Sequence, residues 1–169
     1  MKKKILDEMN KQINEELYSS YLYLDMATYF YEQNLEGMAH WMRCQAHEEV
    51  VHAMKIFHHI VERNGKVTLM PIKLDKKIWK SPLEVWKASY KHELHISSKI
   101  HDLMKIAMDE SDFMEIPLLQ WFETEQIEEE AQTLKAVWIM EKIGDSNQGL
   151  ILADVEFHKR VTPSGSPLA

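Results

Sequence analysis

The 169-residue sequence has little of the chemistry that builds tight turns and cross-links: five glycines, five prolines and a single cysteine, Cys44. Because turn-forming sequence is scarce and strand-type alternation is not evident, an all-β fold is excluded. One cysteine permits no intrachain disulfide, and nothing indicates an oxidising compartment. We therefore expect a cytoplasmic protein.

The sequence also lacks an apolar run near the ~20 residues that are needed to span a bilayer. Its basic start, Lys2 to Lys4, is followed at once by Asp7 and Glu8 without an apolar stretch, which is not the pattern of a signal peptide. The formal net charge of −7 argues against a basic face for phosphate binding. We expect neither a membrane nor a nucleic acid as a partner.

What the sequence does contain is four long stretches of helical periodicity and a short fifth stretch. They are predicted at about 5–33, 35–64, 81–110, 117–143 and 149–160. Gly65 is predicted to cap the second helix. The run Ser81-Pro82-Leu83-Glu84 predicts a helix start with a capping serine, a proline at the first position and a reciprocal glutamate. Pro117 predicts a turn or a kinked start for the fourth helix.

The lengths of the connections predict how these helices are arranged. The first and third connections are short, whereas the connection at 66–80 is long and contains Pro71. Two antiparallel hairpins joined by a crossover along the bundle follow from these lengths. We predict an all-α four-helix bundle with a long crossover between helices 2 and 3 and a short fifth helix. It forms one domain over 1–161, followed by a flexible tail at 162–169.

Each long helix has an apolar stripe that a carboxylate interrupts near its middle. On the second and fourth helices another polar group lies one turn from that carboxylate, on the same helix face. The stripes are Met9, Ile13, Glu16, Ser20, Tyr23, Ala27 and Phe30; Met38, Met42, Gln45, Glu49, His52 and Ile56; Trp86, Tyr90, Glu93, Ser97, Ile100 and Met104; and Leu119, Phe122, Gln126, Glu129, Thr133, Ala136 and Met140.

The interrupting carboxylates predict a metal site in the bundle interior. They are Glu16, Glu49, Glu93 and Glu129. Burying four carboxylates at one level requires protonation or bound cations. With the imidazole of His52, they form a donor set that suits Fe(II), Mn(II) or Zn(II) better than a soft metal. A single glutamate or a lone Glu-x-x-His is weak evidence, but four helices with the same interruption are hard to explain by chance.

Other polar and apolar residues have simpler interpretations. The histidines outside the stripes are predicted to be surface or interface residues: His40, His47, His58, His59 and His92. Methionines of the stripes are predicted to fill the core rather than bind haem. Apolar residues beyond the stripes predict faces that neighbouring subunits cover: Leu22, Leu24, Trp41 and Trp79.

Four segments of the sequence resemble the prokaryotic non-haem ferritins. They are Asn14–Ser20, His47–His52, Tyr90–Glu93 and Leu119–Glu130. The resemblance covers about residues 5–160. It implies a hollow shell of twenty-four copies that stores a ferric mineral. It also implies a ferroxidase that oxidises Fe(II) with oxygen or hydrogen peroxide at a di-iron site inside the bundle.

The resemblance implies two sets of iron ligands that share one glutamate. The first iron takes Glu16, Glu49 and His52. The second iron takes Glu49, Glu93 and Glu129, so that Glu49 bridges the two ions.

The resemblance also implies roles for residues around this centre. Gln126 lies beside the second iron, where it binds a water or a peroxide. A third iron site is formed by Glu48, Glu125 and Glu128, with Glu129 shared. Tyr23 and Trp121 match aromatic residues that serve the family as electron donors, although packing explains them equally well.

The sequence departs from related di-iron proteins at three places. Gln126-Ile127-Glu128-Glu129 replaces the second Glu-x-x-His of many ferritin-like bundles. Val50 stands where bacterioferritins carry a haem-ligating methionine, so no haem is expected. A single cysteine excludes the paired Cys-x-x-Cys iron site of rubrerythrins. Two alternatives stay open: a di-metal oxidase or peroxidase without storage, and a helical interaction protein without enzyme activity.

Overall fold

The computed structural model describes residues 1–75 and 77–161, and helices form its architecture. The five α-helices are α1 (Lys3–Glu32), α2 (Glu36–Glu62), α3 (Pro82–Asp109), α4 (Ile116–Ile143) and α5 (Asn147–Phe157). A short 3-10 helix, Phe113–Glu115, precedes α4. The predicted bundle with a short fifth helix is confirmed. The predicted tail at 162–169 lies outside the described residues.

The interior of the bundle contains two apolar clusters, one toward each end. The first joins the C-terminal half of α1 to the N-terminal half of α2 and includes Tyr23, Phe30 and Trp86. The second joins the opposite halves of the same helices and includes Ile13 and Ile56. Helices α1 and α2 pair closely, as do α3 and α4, and α1 also contacts α3. The apolar burial at both ends fixes the level at which polar residues between the clusters meet.

The helix ends follow the sequence signals in part. Ser81 accepts a hydrogen bond from the Glu84 backbone N–H at 3.2 Å, as the capping box predicts. At the end of α2 the left-handed residue is Asn64, with φ of 54°, and not Gly65. Pro117 lies in the first turn of α4, where its missing N–H costs no helical hydrogen bond. Ser146 accepts from the Gly149 N–H at 3.1 Å, so the fifth helix begins earlier than predicted.

Helix α5 packs against the start of α2, which has no side-chain cap of its own. The carboxylate of Asp154 accepts hydrogen bonds from the backbone N–H groups of Gly37 at 3.1 Å and Met38 at 2.8 Å. It thereby satisfies two of the free donors at the helix N-terminus. A Cβ atom on Gly37 would lie 1.8 Å from the Asp154 carbonyl oxygen, so this approach requires glycine.

Three predictions about surface residues were wrong. Leu22 and Trp41 are buried in the core of their own subunit, whereas Leu24 is 45% exposed. His92 is also buried, because its ring packs near Tyr18 and Tyr23 between α1 and α3.

In the described ranges, no helix combines the length and the hydropathy that crossing a membrane requires.

Candidate metal centre

A layer of buried polar side chains lies between the two apolar clusters. Every member is at most 5% exposed, and all four long helices contribute. The layer consists of Glu16 from α1, Gln45, Glu49 and His52 from α2, Glu93 from α3, and Gln126 and Glu129 from α4. The structure therefore brings together the buried carboxylates and the imidazole that the sequence predicted.

The tightest group in this layer is formed by Glu16, Glu49 and His52, whose ligand atoms all lie within 4.8 Å of one another. His52 Nδ1 lies 3.6 Å from Glu49 Oε2 and 4.0 Å from Glu16 Oε2. Glu16 Oε2 is buried and has no hydrogen-bond partner among the described residues. Because an unpaired buried carboxylate oxygen is costly, this atom fits a bound cation.

The other half of the layer is held by side-chain hydrogen bonds to Glu93. Gln126 Nε2 donates to Glu93 Oε2 at 3.2 Å and to Ser97 Oγ at 3.3 Å. The Tyr23 hydroxyl donates to Glu93 Oε1 and contacts Ser89. Tyr23 therefore touches a candidate ligand directly, while Trp121 reaches only the edge of the His52 ring, with centroids 5.5 Å apart.

Two glutamine side chains that the sequence did not identify as site residues are hydrogen-bonded to these carboxylates. Gln45 Nε2 donates to Glu49 Oε1 at 2.8 Å and to Glu129 Oε2 at 2.7 Å, so it joins α2 to α4. Gln12 Nε2 donates to Glu16 Oε1 at 2.8 Å. The i, i+4 spacing of glutamine and glutamate on both helices is a signal that could have identified them.

Burial controls the protonation of three of the carboxyl groups. It raises the pKa of Glu16 to about 8, with repulsion from Glu49 as the next cause. It raises the pKa of Glu93 to about 8 as well, again helped by Glu49. The pKa of Glu129 is raised well above its usual value by burial and by Glu93. These groups hold protons at neutral pH until a cation replaces them.

Glu49 and His52 behave as an ion pair within the same layer. Burial opposes ionisation of Glu49, but the hydrogen bond and the charge of His52 prevail and lower its pKa. Burial likewise opposes the charged imidazole, but Glu49 raises the pKa of His52 to about 10. Binding of a metal ion at His52 therefore requires release of its proton.

We expect the metal-free protein to become less stable as the pH rises from 6 to 8. Glu16 and Glu93 have folded-state pKa values of about 8 against a usual 4.5, so the stability that they contribute is present below pH 4.5 and lost as the pH approaches 8. Denaturant unfolding of the apo-protein at both pH values measures this. Equal or greater stability at pH 8 would contradict the protonated layer.

His92 lies near the metal layer but does not belong to it. Its Nε2 is 2.7 Å from Ser19 Oγ, and burial lowers its pKa to about 4. The imidazole is therefore neutral and packs between tyrosine rings. Its sequence pattern gave no sign of this, because the residue precedes Glu93 and falls beside the predicted stripe.

A cleft of about 470 Å³ opens next to His52 and Glu129. The residues predicted to form a third site line it: Glu48, Glu125 and Glu128, with Glu129 shared. Glu48 is hydrogen-bonded to the guanidinium of Arg160, a residue that the sequence did not point to. Glu128 accepts from Gln132 at 2.8 Å and faces solvent. The four carboxylates therefore share one cleft beside the metal layer.

A family model, curated sequences and solved structures all match this chain to the same family. A family model described as a ferritin-like domain matches residues 6–143. The bacterial non-heme ferritin of Campylobacter jejuni is 34% identical over 91% of this chain and 92% of its own length. That of Bacteroides fragilis is 35% identical over 93% and 98%. A novel open pore ferritin from Archaeoglobus fulgidus superposes with a TM-score of 0.94 and 41% identity over 95% of this chain and 98% of that structure.

Proposed function

Because this chain belongs to the ferritin family, we propose that it binds Fe(II), oxidises it at the buried carboxylate layer and stores the Fe(III) product as a mineral. The main support is the group formed by Glu16, Glu49 and His52, whose ligand atoms lie within 4.8 Å of one another. A bundle of this size has no structural need for buried carboxylates at one level. Hard oxygen donors with one imidazole suit Fe(II).

We propose Glu49 as the ligand that bridges two iron ions. One of its oxygens faces His52, which lies on the side of Glu16. Its other oxygen shares the Gln45 amide with Glu129, a carboxylate of α4. Glu16 and His52 would complete the first set of ligands. Glu93 and Glu129 would complete the second, with Gln126 next to Glu93.

The protein's contribution to the oxidation is charge and geometry. Each Fe(II) gives up one electron, so two ions and two protons convert one oxygen molecule to hydrogen peroxide, or one hydrogen peroxide to two water molecules. Glu16, Glu93 and His52 release their protons when the cations enter, so the layer changes from nearly neutral to strongly anionic in step with the incoming charge. We propose Tyr23, which is hydrogen-bonded to Glu93, as a candidate donor of a further electron to the oxidant. Trp121 is the more distant of the two aromatic candidates.

Aerobic loading of the apo-protein with Fe(II) tests this function. Oxidation is followed by absorbance, and the product is sized by chromatography and electron microscopy. We expect a burst of two Fe(II) per subunit, then growth of a mineral core inside a large particle. Fast oxidation without a mineral core would favour the alternative function, a di-metal oxidase or peroxidase without storage. Absence of oxidation would favour the other alternative, a helical interaction protein without enzyme activity.

We propose that twenty-four copies form the shell. Exposed apolar residues on α5 support contacts between subunits: Ile151, Leu152 and Val155 are each more than half exposed. We expect no haem, since Val50 offers no ligating atom. We also propose a cytoplasmic location, which a single buried cysteine suits.

Residues of the proposed third iron site should affect later turnovers rather than the first. Glu48→Ala or Glu125→Ala leaves the layer intact, because both residues line the adjacent cleft. We expect an initial burst within about twofold of the wild-type rate, followed by an altered ratio of Fe(II) to oxygen consumed. Stopped-flow absorbance with an oxygen electrode measures both quantities. Loss of the initial burst in Glu48→Ala would argue against a separate third site.

A further inference from the structure

The cleft beside the metal layer contains a positively charged side chain, that of Arg160. Four carboxylates line it, those of Glu48, Glu125, Glu128 and Glu129. Among the described residues that line it, Arg160 is the single permanently charged cation. Its guanidinium donates to Glu48 Oε2. The side chain of Arg160 is 12% exposed and that of Glu48 is 31% exposed, so the pair lies partly inside the cleft.

Arg160 is held in this position by contacts with α2. Its backbone carbonyl is 2.9 Å from His40 Nε2. Its guanidinium stacks over the Trp41 ring at 4.1 Å and donates to the Trp41 carbonyl at 3.4 Å. Because the stacking and the backbone contact do not involve Glu48, the side chain keeps an anchor when Glu48 takes another partner.

We propose that Arg160 is a tethered cation that competes with divalent metal ions for Glu48 and so limits occupancy of the cleft. This inference rests on the proposed function, because it concerns the ions that would pass next to the dinuclear site. A divalent ion at Glu48 has to displace the guanidinium, and it meets the repulsion of that charge as it enters. Arg160 is thus a positioning residue that regulates uptake and does not touch the oxidised pair.

A stabilising ion pair alone would not explain the position of Arg160. It follows the end of α5, whose attachment to α2 already uses Asp154 with Gly37 and Met38. The guanidinium of Arg160 lines the cleft. The neighbouring Lys159, in contrast, pairs with Glu156 on the exposed surface. The charge is therefore located where a metal ion would be bound.

Titration of the apo-protein with Zn²⁺ tests the proposal, since Zn²⁺ is divalent and is not oxidised. Arg160→Gln should bind the weakest of three Zn²⁺ per subunit about fivefold to tenfold more tightly than the wild type, while the first two ions change little. Lys159→Gln is the matched control, because it removes a neighbouring charge outside the cleft. Arg160→Lys should restore the wild-type affinity.

Arg160→Met serves as a second variant, because it keeps an aliphatic chain against Trp41 if the glutamine variant folds poorly. Equal Zn²⁺ binding by Arg160→Gln and Lys159→Gln would overturn the proposal. A crystal structure of the Zn²⁺-loaded wild type gives an independent check: Glu48 should bind zinc and Arg160 should be displaced. Zinc in the cleft with the Glu48–Arg160 pair intact would also overturn it. Failure of the proposed function would appear separately, as absence of Fe(II) oxidation by the wild type.

Discussion

Replacement of Glu49 by alanine is expected to reduce the initial rate of Fe(II) oxidation by at least about 100-fold. Loss of a residue that only hydrogen-bonds to a metal ligand typically costs about 10–100-fold, and loss of the ligand itself should cost more. Glu49 Oε2 lies 3.6 Å from His52 Nδ1, and Glu49 Oε1 shares the Gln45 amide with Glu129. Its loss disturbs both proposed iron positions. Stopped-flow measurement of the first two Fe(II) per subunit gives the rate.

The apo-fold of this variant should survive. His52 loses its ion-pair partner when Glu49 is removed, but the imidazole can give up its proton and stay buried in the neutral form, so no unpaired charge remains. Glu62→Ala, on the exposed end of α2, is a matched control and should oxidise iron at the wild-type rate. His52→Ala should also lose the burst, though less completely, because His52 is proposed as a ligand of one iron and Glu49 as a ligand of both. A native rate in Glu49→Ala would show that the ligands are assigned wrongly.

The fold was predictable from the sequence because apolar periodicity and connection length both report on burial. The stripes through Met9, Phe30 and Met140 are buried as predicted. Helix ends were less predictable, since several residues can provide the same hydrogen bond. Asn64 takes the left-handed position next to a glycine, and Ser146 starts α5 before the predicted start.

The candidate ligands could be recognised because a carboxylate inside an apolar stripe is anomalous on its own helix. Residues that act through another helix give no such local signal. Gln45 was visible in its stripe, but its bond to Glu129 depends on the packing of α2 against α4. Arg160 lies 112 positions from Glu48, in a stretch with no distinguishing pattern. His92 was misplaced because burial between α1 and α3 cannot be read from a single helix.

A second buried charge cluster, outside the metal layer, joins the end of α2 to the turn before α4. Glu115 is fully buried. Arg63 Nη1 donates to Glu115 Oε1 at 2.8 Å, and His59 Nε2 donates to the other oxygen. Arg63 also pairs with Asp112 at 3.1 Å. The carboxylate therefore has its charge and both oxygens satisfied, which is the condition under which a buried ion is tolerated.

Arg63→Met is expected to lower the free energy of unfolding by about 3–5 kcal/mol, because it leaves the Glu115 carboxylate buried without its guanidinium. The double variant Arg63→Met with Glu115→Leu should recover most of this loss, since replacing both charges by apolar groups removes the desolvation penalty. Denaturant unfolding of the apo-protein at one fixed protein concentration and pH measures the difference.

Lys105→Met provides the control for this comparison. Lys105 pairs with Asp109 at 2.7 Å, but the two side chains are 74% and 55% exposed. Such a surface pair contributes at most about 1 kcal/mol, so its loss should change the midpoint of unfolding little. If Arg63→Met is no more destabilising than Lys105→Met, the buried cluster does not hold α2 to the start of α4. If the double variant is as unstable as the single one, the loss comes from packing rather than from the Glu115 charge that Arg63 had balanced.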